Sequence, residues 1–157
     1  MPRTDRDLVL ARLATAATGL PWTRFAPAVP AAGTDLTAAG FGRTKTEWVP
    51  DKVHTGTFTT NASDTVTVTG KGADAICKGD TGGPLLNAAG LLVGVNSRSW
   101  QGGCLGTPAT ETRTGAIAAR ADNLSAWSAE VRSLTAGWAD RGRRPGGHLP
   151  LPGHPHG

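Results

Sequence analysis

Thr81 stands inside CKGDTGGP, residues 77–84, beside the acidic Asp80 and among Gly79, Gly82 and Gly83. A hydroxyl becomes a working nucleophile only when a base takes its proton and donors hold the oxyanion that forms. A sharp turn between glycines suits the second task, because it can aim the backbone N–H groups of Gly79 and Thr81 at one point. Gly82 and Gly83 leave room for another backbone to come close. Cys77 precedes the hydroxyl in position to pin the turn from behind. A plain glycine-rich β-turn is the competing reading. A phosphate loop fits poorly, because no Lys-Ser or Lys-Thr pair follows the glycines.

The elements around this loop read as mostly β. KVHTGTFTT and DTVTVTG are β-branched runs, and Thr65 to Thr69 alternates so that Val66 and Val68 face a core. TDLTAAGFGRT enters a strand and leaves it through Gly40 and Gly42, LLVGVNS reads as another strand, and TRTGAIAAR as a last one broken by Gly115. Leu8 to Leu13 is short and apolar and predicts a buried strand. Leu124, Trp127, Val131 and Leu134 recur at helical spacing, which predicts one helix over 122–134 with Asp122 or Asn123 as N-cap. Residues 14–34, with Pro21, Pro27, Pro30 and Gly33, read as a surface connection. The Pro-, Gly- and Arg-rich residues 137–157 read as a disordered tail.

The totals narrow the function classes. A chain of 157 residues suits one domain with a real core. The net charge of +4 gathers partly in DRGRRPGGH, with no basic stripe interleaved with aromatics, so a solvated surface is favoured over a nucleic-acid partner. No apolar run is long enough to span a bilayer. Acidic residues in MPRTDRDLVLARL do not match a secretory signal. Cys77 and Cys104 are either buried free thiols or one disulfide, and neither matches a metal site. No cofactor is expected. Asn61-Ala62-Ser63 is a glycosylation triplet of a kind common by chance.

At this point the sequence resembles the chymotrypsin/trypsin-like serine proteases. CKGDTGGP is similar to their nucleophile loop, Cys-x-Gly-Asp-Ser-Gly-Gly-Pro, at every defined position except the nucleophile, where Thr81 stands for Ser. DLVLARL resembles the strand carrying the triad acid, which places Asp7 in that role. AAGFGRT is similar to the Gly-Trp-Gly-Arg turn, with Phe41 for Trp. LLVGV, Cys104, the Gly115 region and the closing helix follow in the family's order. The resemblance covers about residues 5–135.

The resemblance implies an all-β fold: a trypsin-like antiparallel Greek-key barrel, the second of the family's two, with a remnant strand of the first and a C-terminal helix. The divisions expected are 1–13 for the remnant strand, 14–34 for the connection, 35–136 for the barrel and helix, and 137–157 for the tail. It also implies a Cys77–Cys104 disulfide worth about 3 kcal/mol in the loop-entropy model. The implied oxyanion donors are the amides of Gly79 and Thr81, and the implied specificity pocket is Ala75, Asn96, Arg98 and Gly115. Two registers of NSRSWQGG are open. Either Asn96 takes the family's Ser position and Arg98 its Gly position, or Trp100 recovers the Trp.

Departures from the pattern bear on activity. The family's catalytic His precedes the triad Asp, and none of His54, His148, His154 or His156 has its motif. His54 reads as an ordinary strand residue. The Thr81 methyl stiffens χ1 and crowds the place of a base. In many relatives the Asp equivalent to Asp80 pairs with a freed N-terminal amine. Here it is left to another partner or to water. Ala75 stands where trypsins carry an Asp, which gives no preference for basic side chains. The expectation is a truncated, inactive pseudoprotease of the endopeptidase family, from a longer secreted parent that supplies a first barrel. The alternative is a non-enzymatic module that binds peptide or protein.

Overall fold

The structure is a computed structural model and describes residues 1–62 and 66–141. Among these residues lie six strands and one helix: β1 (Asp35–Gly40), β2 (His54–Ala62), β3 (Val66–Gly70), β4 (Pro84–Leu86), β5 (Leu92–Ser99), β6 (Gly115–Arg120) and α1 (Ser125–Arg141). Period-two alternation decides which way the strands face. In β3, Val66 and Val68 are fully buried while Thr69 is exposed, as the sequence predicts. In β1, Leu36 and Ala38 point inward and Asp35 and Thr37 outward.

All pairings are antiparallel, in the order β1-β2-β3-β6-β5-β4. The barrel closes where Thr37 meets Leu86 and Ala38 meets Leu85. Closure leaves no unpaired edge strand. The inside is filled by pairing large side chains (Leu36, Phe58, Leu85) with small ones (Ala38, Ala116, Ala118). β4 has three residues, too few to show alternation, and the sequence does not reveal it.

Residues 8–13 depart from expectation, whereas residues 14–34 form no named strand or helix and are mostly exposed. Leu8 to Leu13 form no strand. Val9 makes a single antiparallel bridge with Pro2, and Val9 and Leu13 are 67% and 62% exposed. The barrel is already closed, so this segment finds no strand edge to join. It is held by polar contacts instead: Arg6 donates to Arg120 O and to Asn123 Oδ1, and the Arg3 guanidinium lies 5.3 Å from the Trp127 ring centroid. Farther on, Phe25 bridges Leu92 and Ala26 is buried.

The helix also differs at both ends. It starts at Ser125, where Ser128 N bonds to Leu124 O, and it runs on to Arg141. Neither Asp122 nor Asn123 caps it, because Arg120 takes the Asp122 carboxylate and Arg6 takes Asn123 Oδ1. Residues 137–141, expected in the tail, are helical. The remainder of the expected tail, with His148, His154 and His156, and Ser63 of the glycosylation triplet lie outside the described residues.

Candidate active site

Two consecutive turns build the loop around Thr81. In the first, Asp80 N donates to Cys77 O, with Gly79 in third position at φ 101°. In the second, Gly83 N donates to Asp80 O, with Gly82 in third position at φ 86°. A positive φ at the third residue is the type II signature, which favours glycine there. Thr81 is left exposed at the tip. The amides of Asp80, Gly82 and Gly83 are taken by Cys77 O, Asn96 O and Asp80 O. Those of Gly79 and Thr81 meet no acceptor among the described residues. Behind the loop, Cys77 is disulfide-bonded to Cys104.

Asp80 is 5% exposed, and its carboxylate is the hub of the site. Gly42 N donates to Oδ1 at 2.8 Å and Cys77 N donates to Oδ2 at 3.0 Å. His54 Nε2 lies 3.6 Å from Oδ1 and donates to Gly42 O at 2.8 Å. The carboxylate rests on a cradle of glycines. A Cβ on Gly42 would come within 2.5 Å of Asp80 Cγ, and one on Gly79 within 2.7 Å of Gly42 Cα. Arg43 N adds a bond to Lys78 O, so the turn leaving β1 clamps the loop from one side.

His54 is therefore more than the ordinary strand residue the sequence suggests. The β1–β2 register pairs it with Gly40, one residue short of the turn that holds Asp80. Its place in a β-branched strand hides this, and only the pairing register could have revealed it. Gly42 was legible as part of a turn, but its role as a seat for Asp80 was not.

Asp7 is exposed and accepts a hydrogen bond from Ser97 Oγ at 2.7 Å. Between Asn96 and Arg98 the β5–β6 register shifts, so Ser97 is the extra residue of a bulge. Bulges re-aim side chains in this way. The residue meeting Asp7 is thus Ser97, one position beyond the residue that the sequence register offers for the family's Ser. Asn96 instead turns into the barrel, 2% exposed, and its side-chain amide has no partner among the described residues.

Two of the four residues expected to form a specificity pocket line different cavities. Ala75 lines one of about 300 Å³ together with Asp74, Ile76, His54, Arg43 and Asp80. Gly115 lines another of about 360 Å³ with Trp100, Arg113 and Val68. Arg98 is exposed. The Trp100 ring covers Gly115 closely enough that a Cβ there would sit 3.2 Å from it. No group of three or more His, Cys, Asp or Glu side chains is placed to hold a metal among the described residues. No described helix is long and apolar enough to cross a membrane.

The family model described as Trypsin matches residues 1–127. The chain belongs to the trypsin family. Its single six-stranded antiparallel barrel followed by a helix is the trypsin-like fold. Among solved structures it is similar to a glycine-to-glutamine mutant of human heparin binding protein (CAP37), at 25% identity and a TM-score of 0.48. That alignment covers 89% of this chain and 58% of the other, so the trypsin-family chain spans little more than half of that protein's length. No curated protein matches it in sequence.

Proposed function

We propose that this trypsin-family chain is a pseudoprotease: a protease scaffold that binds peptide or protein segments without cleaving them. The observation that carries the reading is where the imidazole sits. His54, the histidine among the described residues, is committed to Gly42 O and faces Asp80, and its bonds do not include Thr81. A nucleophile without a base forgoes the roughly 10²–10⁴-fold that general acid–base help supplies. In this reading Thr81 holds the nucleophile's place, the amides of Gly79 and Thr81 keep the oxyanion donors' place, and Asp7 keeps that of the triad acid. The open amides would serve to bind a peptide carbonyl.

A second reading rests on Asp7. Its carboxylate is exposed and fixed by Ser97, a geometry suited to orienting an imidazole brought by another segment. In that reading a first barrel carried by a longer chain completes the site. The disulfide suits an oxidising compartment, which favours a secreted parent under either reading.

The test uses purified protein, a fluorophosphonate probe and a panel of fluorogenic peptide amides. The pseudoprotease reading expects no labelling of Thr81 and no turnover, with peptide binding on an array that survives Thr81→Ala. Labelling at Thr81, or turnover that Thr81→Ala abolishes, overturns it. Activity that appears only in a longer chain supports the second reading.

A further inference from the structure

A buried carboxylate must be compensated, and each oxygen of Asp80 accepts one backbone N–H. That leaves a full negative charge in a site 5% exposed, and the group that faces it is the His54 ring. Gly42 links the two, because its N–H donates to Asp80 Oδ1 while its carbonyl accepts from His54 Nε2. A carbonyl can only accept, so Nε2 carries a proton in every charge state that keeps this bond.

We propose that His54 is a positioning residue for the Thr81 loop, holding Gly79 and Thr81 in place through Gly42 and Asp80 with a firmness set by its charge. The protonated ring both donates to Gly42 O and offsets the Asp80 charge. The neutral ring keeps the first contact and loses the second. The charge on one side chain of β2 thereby reaches the amides of the loop that stands opposite it in the cavity.

Among the titratable side chains lining this cavity, His54 is the imidazole. The other charged side chains lining its cavity are Arg43, Lys45, Asp74 and Asp80. Arg43 is occupied by Leu105 O and the Trp48 ring, and Asp74 Oδ2 accepts from Thr57 N. Among these chemical types, imidazole is the one that ordinarily changes charge between about pH 5 and 8. The inference rests on reading residues 77–83 as the functional loop.

The test is ¹H–¹⁵N spectroscopy and amide hydrogen exchange on the whole chain from about pH 5.5 to 8. The amide signals of Gly42, Cys77 and Thr81 are expected to move with the same midpoint as the His54 ring signals. Protection of the Gly42 and Cys77 amides is expected to fall several-fold over that range. His54→Gln, which can still donate to Gly42 O, should keep the loop folded and abolish the pH response. His54→Leu, which cannot donate, should lower protection about tenfold at all pH values. Loop signals that do not follow the His54 ring, or that titrate identically in His54→Gln, overturn the proposal. These readouts need no ligand, so the inference can fail while the binding reading stands. Probe labelling of Thr81 would sink the binding reading and leave the pH coupling intact.

Discussion

Ser97 Oγ reaches Asp7 Oδ2 at 2.7 Å, joining the bulge of β5 to a segment of chain that belongs to no strand. The contact fixes an exposed carboxylate on one side of the barrel. An exposed hydrogen bond of this kind contributes at most about 1 kcal/mol. Ser97→Ala should therefore leave the melting temperature within a few degrees of wild type. Limited proteolysis within residues 1–13 should speed several-fold, because that segment then loses one of its ties to the barrel. Unchanged cleavage would show that the Asp7 contact anchors nothing.

Gly42→Ala should be among the most damaging single-atom additions in the chain. Its new Cβ would sit 2.5 Å from Asp80 Cγ and 2.6 Å from Asp80 N, and neither the carboxylate nor the backbone can retreat. A loss of about 2–4 kcal/mol is expected, by overpacking together with disruption of a buried polar network. At Gly82 nothing lies within 4 Å, so Gly82→Ala should cost only the strain of a positive φ, about 1–2 kcal/mol. Urea midpoints of the two variants should fall in that order.

Reduction of Cys77–Cys104 opens a loop of 27 residues. The chain-entropy model gives about 3 kcal/mol for a loop of that size. Denaturation with and without reductant should differ by an amount of that order. A Cys77→Ala/Cys104→Ala double variant should match the reduced protein. A midpoint indifferent to reductant would mean that the glycine cradle alone supports the loop.

Acid should weaken the fold through surface carboxylates held by arginine. Hydrogen bonds from the Arg113 side chain pull Glu111 down to about 2, and a hydrogen bond from Arg120 holds Asp122 below the usual carboxylate range. Their folded values lie below their unfolded ones, so their contributions are complete above about pH 4, the unfolded range. They are lost as pH falls through the folded values, and for Glu111 the window runs from about pH 4 to about 2. Thermal melts across that window should decline, and Arg113→Ala should flatten part of the decline. The Arg113–Glu111 pair is the more open to solvent of the two, so added salt should shrink its share of the effect. An identical acid limb in Arg113→Ala would remove Glu111 from the account.

What could be read from the chain depended on how local the determinant was. β3 was legible because Val66 and Val68 alternate with threonines, and the Thr81 loop because Gly79, Gly82 and Gly83 lie close together around it in sequence. The determinants that escaped are pairings between distant segments. His54 meets Asp80 only because β2 pairs with β1 at Gly40, and Ser97 meets Asp7 only because β5 carries an extra residue. The apolar run at Leu8–Leu13 predicted a strand, but strand formation needs a partner edge, and a closed barrel offers none. Asp122 and Asn123 have good capping chemistry, and arginines took both.

The glycine cradle separates shape from chemistry. The turn geometry of residues 77–83 depends on Gly42, Gly79, Gly82 and the Asp80 carboxylate, and Thr81 projects from it into solvent. The outline of the loop is therefore sensitive to the glycines and nearly indifferent to which alcohol stands at the tip. A substitution at Thr81 would change the chemistry offered at the tip and leave the loop's outline in place.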